Sequence, residues 1–563
     1  MTKSSAMRSG GRILVDQLRV HGVDTAFCVP GESYLDVINA LYDYRDEIRL
    51  IVTRQDGGAS FMAEAYGKAS GKPGICLVTR GPGATNASIG VHTAYQDSTP
   101  MILLIGQVGG DVVEREAFQE VDYRRMFGQM AKWVAQIDRA ERIPEYLSHA
   151  FHLCMSGRRG PVVLALPEDM LVTEANVPDA SPFHAAKPAP QAGAMDQLRD
   201  MLETSKRPMV LLGGGGWSQQ ACEEIREFVE ANNLPVACTF RRQDLIDNRH
   251  PNYCGDVGIG INPKLAKRIG ETDLIIAVGP RLGEMTTNTY TLFEVPSPSQ
   301  KLVHVHPGIE ELGRVYQADL MINSDMGEFA RLAARMPAVD SAGWRDWTHQ
   351  GHADYLANIE PQASPGPVDM AAIMMEFRKQ LPADAIMTNG AGNFSGWVQR
   401  YWQYGGFRTQ IAPTNGAMGY GVPAGVAAKV ANPDRVVVSF SGDGCFMMNG
   451  QEMATAVQYG LKVLFIVINN GMYGTIRMHQ ERDYPARVHA TALHNPDFAA
   501  LARAYGMHGA VVSRTEEFAG ALAEALAHET AALIEIRIDP EAITTRGKLS
   551  AIRDKALQQQ KKG

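Results

Sequence analysis

Short, unbroken runs of aliphatic and β-branched residues recur along the whole chain, each followed by a turn and then by a helical pattern. Residues 25–29 precede a helix from Tyr34, and Gly74–Val78 precedes another from about Ala84. Residues 209–212 end in four glycines, 213–216, and lead into a helix through Phe228; Leu274–Val278 is a second run of the same kind. Residues 436–440 and 463–468 flank a helical pattern over 450–459. A strand buried on both faces shows no polar alternation, and parallel neighbours need long crossovers. The alternation therefore restricts the chain to parallel sheets covered by helices. The fold class is α/β, with doubly wound parallel-sheet domains.

Proline sets the boundaries. Pro178, Pro182, Pro188 and Pro190 fall within 174–192, and Pro361, Pro365 and Pro367 within 359–368, stretches that sustain neither a helix nor a central strand. Three domains follow, at 8–173, 193–340 and 366–545, without a repeat between them. Apolar residues make up 45% and charged residues 21%, so each piece can bury a core. A net charge of −8 without a basic stripe argues against a nucleic-acid partner, and Lys561-Lys562 reads as a solvated tail. The apolar runs are strand length, which argues against a membrane partner. Seven scattered cysteines, Cys28 to Cys445, form neither CxxC pairs nor metal-spaced clusters, and residues 1–12 lack the apolar core of a signal peptide. The expectation is a reduced, cytoplasmic protein.

The third domain carries the sharpest motif. Gly442-Asp443-Gly444 follows one buried strand and Asn469-Asn470 the next, with 24 residues between Gly444 and Asn469. Strand, helix and strand account for that spacing and put Asp443 and Asn470 at the carboxyl ends of neighbouring strands, where open α/β sheets bind ligands. A carboxylate and an amide oxygen suit Mg²⁺. Gly444 allows close backbone approach, and a helix start after it favours a diphosphate. Two tight turns are the plainer reading of the same residues. No GxSxG elbow, HExxH or complete GxGxxG is present, which lowers hydrolase, zinc-protease and simple dehydrogenase readings.

Further motifs lie upstream: Gly81-Pro82-Gly83-Ala84-Thr85-Asn86, Asp97-Ser98-Thr99-Pro100, Phe118-Gln119, and Gly416-Ala417-Met418-Gly419-Tyr420-Gly421. In this order, with GDG and NN, they resemble the thiamine-diphosphate enzyme family, and within it the acetolactate (acetohydroxyacid) synthase large-subunit-like proteins. The resemblance spans nearly the whole chain. It implies pyrimidine-binding, central and diphosphate-binding domains, thiamine diphosphate and Mg²⁺ as cofactors, and a homo-oligomer of at least two chains with active sites between subunits. Asp443, Asn470 and the carbonyl of Met472 would hold Mg²⁺. Gly442, Gly444, Cys445, Gly392, Asn393 and Phe394 would surround the diphosphate. Met418 would wedge under the thiazolium, Gly416 would accept from the 4′-amino group, and Ile476 would sit near the reacting centre. The implied reaction is decarboxylation of a 2-oxo acid, followed by carboligation of the enamine to a second carbonyl. A non-oxidative decarboxylase and an acyloin lyase are the alternatives; a flavin-dependent oxidoreductase and a non-catalytic sensor are the more distant ones.

Departures from the family pattern concern the reaction itself. Where the family carries a catalytic glutamate, this chain has Asp56, about 1.5 Å shorter in reach. Asp56, Gln119 and Glu32 are the catalytic candidates, and Asp56 could also cap the helix that follows. Arg80 replaces a serine and could neutralise a substrate carboxylate. Phe118, Arg477 and His479, the last in place of a tryptophan, complete the substrate candidates. In the central domain, residues 213–216 and 279–283 are glycine-rich after strands and could receive a nucleotide such as FAD, although a lone glycine cluster is weak evidence.

Overall fold

The structure, a computed structural model, describes residues 6–561. The start of the polar 1–12 segment and Lys562 of the terminal pair lie outside the described residues. The chain divides into two compact units, one ending at Lys187 and one beginning at Pro188. Among the described residues no helix is long and apolar enough to cross a membrane.

The first unit holds a six-stranded sheet of β1 (Thr25–Cys28), β2 (Arg49–Val52), β3 (Gly74–Val78), β4 (Met101–Gln107), β5 (Trp133–Gln136) and β6 (Pro161–Pro167). Their order is β2-β1-β3-β4-β6-β5, and every pairing is parallel. Strands β1, β3, β4 and β6 are buried along their length, as unbroken apolar runs require. Helix α1 (Gly10–Val20) begins at Ser9, whose hydroxyl accepts from Arg12 N at 3.3 Å. Helices α2 (Asp56–Ser70) and α3 (Gly81–Asp97) cross closely. A Cβ on Gly90 would lie 2.3 Å from Ser60 Oγ and 2.6 Å from its carbonyl carbon, so only glycine permits this approach. Helix α3 starts at Gly81 rather than near Ala84, because Pro82 occupies its first turn, where a missing N–H costs nothing.

The proline-rich stretch is not wholly irregular. Glu174–Ala175 pairs antiparallel with Arg8–Ser9, and beyond it Ala180 N donates to Gln17 Oε1 at 3.0 Å, while the Phe183 ring lies tilted against that of Phe151.

The second unit holds two sheets. One comprises β7 (Pro208–Leu212), β8 (Val236–Thr239), β9 (Tyr253–Val257), β10 (Leu274–Val278), β11 (Lys301–His306) and β12 (Leu320–Asn323), in the order β9-β8-β7-β10-β11-β12. Helix α4 (Gln219–Ala231) covers it, and α5 (Arg345–Asn358) packs on it, with Trp347 Nε1 donating to Pro208 O at 3.1 Å. The other comprises β13 (Ile386–Asn389), β14 (Gln410–Ile411), β15 (Val437–Gly442), β16 (Val463–Asn469), β17 (His508–Val512) and β18 (Ala532–Arg537), in the order β14-β13-β15-β16-β18-β17. Phe377 packs edge-on against Phe440 and Phe518 in its core. All pairings in both sheets are parallel. Buried amides join the two layers: Gln243 N donates to Gln410 Oε1 at 2.8 Å, and Gln410 Nε2 to Gln243 Oε1 at 3.0 Å. The molecule thus has three parallel six-stranded sheets, each flanked by helices.

Candidate active site

At the carboxyl edge of the third sheet, β15 ends at Gly442 and β16 at Asn469, so Asp443 and Asn470 stand side by side just beyond the strands. Only a single turn, α6 (Asp443–Phe446), follows GDG directly, too short to bring much of a macrodipole, while the helical pattern over 450–459 is present as Gly450–Glu452 and Met453–Gln458. Asp443 is buried, with both oxygens engaged: Gly444 N donates to Oδ1 at 2.9 Å, and Gly471 N and Asn495 Nδ2 donate to Oδ2 at 2.9 and 2.8 Å. Burial pushes its carboxyl up, and these donors pull it back. Gly471 N and Asn495 Nδ2 also reach Asn469 Oδ1, at 3.0 and 2.9 Å. Asn469 Nδ2 in turn donates to the buried Glu535 at 2.7 Å.

Met472 bridges Ala492 antiparallel, with Leu493 N donating to Gly471 O and Tyr473 N to Thr491 O. Both bonds belong to the flanking residues, so the N–H and C=O of Met472 itself take no part in the bridge. The oriented Asp443 carboxylate, the Asn470 amide and the Met472 carbonyl would together offer one carboxylate and two neutral oxygens. That set fits a hard divalent cation such as Mg²⁺. Gly444 has a reason beyond ligand approach: a Cβ there would meet the Tyr473 ring at 2.5 Å.

Around this edge lie the other expected residues of the domain. Cys445 is buried, its thiol is pushed up by burial, and Gly419 N donates to its sulfur at 3.2 Å. Asn449 Nδ2 donates to Gly419 O at 3.1 Å, which ties the loop of Gly416 and Met418 to the GDG turn. Gly416 has φ 71°, and Met418 packs partly buried against the core. Phe394 lies over Gly392 and Gly442. The backbone N–H of Asn393 is engaged by Thr475 Oγ1 at 3.0 Å, and its side chain donates to Ile543 O. On α7 (Gly474–Asp483), Ile476 is exposed, Arg477 is paired with buried Glu481 at 2.7 Å, and the Nδ1 of His479 is buried without a partner.

In the first unit, the carboxyl edge gathers Glu32 after β1, Asp56 after β2, Arg80 after β3 and Glu168 after β6. The helix cap is Gln55, whose side chain accepts from Gly58 N at 2.9 Å; Asp56 is the first helical residue and does not cap. Asp56 is buried, and burial pushes its carboxyl up, partly offset by Asn86 Nδ2 donating to Oδ2 at 3.3 Å. Its Oδ1 is buried with no hydrogen-bond partner. Buried Arg80 pairs closely with Glu168 and at 3.5 Å with Glu32, whose side chain is 61% exposed. Gln119, at φ 66°, accepts from Gly81 N through its carbonyl at 2.9 Å and keeps a partnerless Oε1. Its neighbour Phe118 is 74% exposed.

Sequence reasoning did not find Asn86, Glu168, Thr475, Asn495 or Glu535. Asn86 stood within a motif already noted, and Asn495 opens an Asn-Pro turn before a helix at Phe498; the other three carried no signal. In the central domain the two glycine-rich stretches meet each other. A Cβ on Gly214 would lie 1.9 Å from Gly279 O, and one on Gly279 2.4 Å from Gly213 O. Packing accounts for Gly213, Gly214 and Gly279, whereas a Cβ on Gly283 would meet open space.

Three helix-flanked parallel sheets, with Asp443 and Asn470 beyond one carboxyl edge and the desolvated Asp56 beyond another, are the frame of an enzyme of the thiamine-cofactor class. The chain matches the thiamine pyrophosphate enzyme family models: the N-terminal TPP binding domain over residues 8–126, the central domain over 195–332 and the C-terminal TPP binding domain over 390–536. It belongs to the thiamine pyrophosphate enzyme family, and within it is acetolactate synthase-like. It is 31% identical over 535 residues to the acetolactate synthase isozyme 2 large subunit of Escherichia coli (strain K12), covering 94% of this chain and 96% of that one. It is 32% identical over 548 residues to an acetolactate synthase of Arthrospira platensis, covering 94% of each. With the acetolactate synthase large subunit of Corynebacterium glutamicum, 30% identity extends over 534 residues, 92% of this chain and 84% of that one.

Proposed function

We propose that the chain is a thiamine-diphosphate- and Mg²⁺-dependent carboligase that decarboxylates a 2-oxo acid and joins the remaining fragment to a second carbonyl compound. The observation that carries this reading is the buried Asp443 carboxylate at the sheet edge, oriented by Asn495 and Gly471, with Asn470 and Met472 following the neighbouring strand. Those three groups would hold Mg²⁺. The backbone from Gly442 to Cys445, with Gly392 and Phe394, would surround the diphosphate; Asn393 would join only by releasing Thr475. Met418 and Gly416 would support the ring system. Bound thiamine diphosphate supplies the electron sink for the carbanion left by decarboxylation.

Asp56 would exchange a proton with the pyrimidine, a step that needs hydrogen-bond distance and an acid that can hold the proton; desolvation favours the protonated form. Arg80 already faces two carboxylates, so it would meet a substrate carboxylate only by exchanging one of those pairs. Glu32, Gln119, Phe118, Ile476 and His479 are the remaining candidates to touch substrate; Arg477 would have to leave Glu481 to do so. Decarboxylation followed by carboligation involves no net redox change, so an FAD held by the central glycine-rich loops would take no part in the chemistry. Assembly is at least a homodimer, with the active site between subunits.

NMR product analysis with thiamine diphosphate, Mg²⁺ and pyruvate tests the proposal. Acetolactate is the expected product. Acetaldehyde alone would replace the carboligase with a decarboxylase, and no turnover with cofactor bound would exclude pyruvate as donor.

A further inference from the structure

The acid that replaces the longer family residue is held from an unexpected side. Helix α2 begins at Asp56, and α3 brings Asn86 against it, because the helices approach closely enough for Gly90 to touch Ser60. A Cβ on Gly57 would lie 3.2 Å from Asn86 O, so there is little room for the two helices to slide. Asn86 Nδ2 donates to Asp56 Oδ2 at 3.3 Å. The other oxygen, Oδ1, is buried without a partner and faces Gly83, where a Cβ would come within 3.1 Å. A buried carboxylate oxygen left unmatched is costly, which marks Oδ1 as a place for a hydrogen-bond donor.

We propose that Asn86 is the positioning residue of Asp56: its amide pins Oδ2 and leaves Oδ1 as the oxygen open to the ring nitrogen of a bound aminopyrimidine. The inference rests on the reading of Asp56 as the acid that meets the cofactor. Pinning one oxygen on a side chain with only two torsions offsets the lost methylene, because the remaining oxygen keeps a single direction. The donor also stabilises the ionised form, so it tunes when the proton is exchanged. The titratable groups facing Asp56 from β1, β3 and the turn after β1 are Cys28, Cys76 and Tyr34. Burial pushes each up, Cys28 to about 12, so none changes charge near neutrality.

The test uses the full-length protein. In the unloaded form, the Asp56 carboxyl is titrated by ¹³C NMR, assigned by difference from Asp56→Asn. In the form loaded with thiamine diphosphate and Mg²⁺, exchange of the cofactor C2–H for deuterium is followed against pH. Asn86→Ala is expected to move the carboxyl midpoint upward by about one pH unit, to carry the pH limb of C2–H exchange upward by the same amount, and to lower its plateau because Oδ1 is no longer held in one direction, with cofactor affinity nearly unchanged. Asn86→Asp, isosteric and lacking the donor, is expected to move both further, and serves if the alanine variant does not fold. An unchanged midpoint and exchange profile in either folded variant overturns the inference, as does a loss that simply tracks cofactor affinity at every pH. Absence of C2–H exchange in the unsubstituted protein would sink the reading of Asp56 itself, and this inference with it.

Discussion

Asp443 and its neighbours show how much of the site resides in single hydrogen bonds. Asn495 and Gly471 each serve both Asp443 Oδ2 and Asn469 Oδ1, so the carboxylate is oriented before any cation arrives. Asn495→Ala is therefore expected to weaken Mg²⁺ affinity 10- to 100-fold, read as the midpoint of a Mg²⁺ titration of cofactor binding. Asp443 and Asn470 were legible because they directly follow apolar strands. Asn495 was not, because it reaches the site only through the return of a loop. Arg80 is a candidate to neutralise a substrate carboxylate, but its charge is already met by Glu168 and Glu32, and nothing in the local sequence announces Glu168, 88 residues away. The cysteines conform to expectation: all seven are free and buried, with thiols pushed up by burial, Cys154 and Cys254 to about 12. A thiol reagent should find almost none of them in the native protein and all seven in denaturant, measured as released chromophore.

Among the elements, the strands were legible and the helix boundaries less so. Strand burial shows directly as an unbroken apolar run, whereas a helix start depends on capping. Gln55 rather than Asp56 caps α2, and Pro82 draws the start of α3 back to Gly81. The turn after GDG and the helical stretch expected over 450–459 are separated at Asn449, whose amide is committed to the carbonyl of Gly419. Close packing of α2 on α3 was invisible in the sequence, since glycines in helices read as weak formers rather than contacts. Gly90→Val should destabilise the first unit by about 3 kcal/mol, because backbone and Ser60 occupy the space its side chain needs. Denaturant melts followed by far-UV circular dichroism would register that loss, and an unchanged midpoint would mean the helices can separate cheaply.

For the whole molecule, acid should act on the two units in opposite senses through two buried groups. His21 stacks on Phe151, and burial, with His152 nearby, lowers its pKa from the usual 6.5 to about 4. The unfolded chain then binds more protons between those values, so this contribution to stability is present above about pH 6.5 and is lost as pH falls toward 4. Asp256, in the second unit, is raised by burial to about 6, so through it stability increases as pH falls across that range. His21→Gln should flatten the acid slope of the first unit in thermal melts between pH 7 and pH 4, provided Gln still accepts from Phe183 N. The three-sheet plan was readable from strand and helix alternation; the order of strands within each sheet was not, since side-chain patterns do not encode which neighbour a strand selects. That order has a consequence for synthesis. Strand β6, the last of the first sheet to leave the ribosome, pairs with both β4 and β5 inside the sheet. Until residue 167 has emerged, β4 presents an open edge whose residues 101–105 are all apolar, and β5 has nothing to join. The nascent first unit must therefore wait, unfinished and prone to self-association, and then close in one late step.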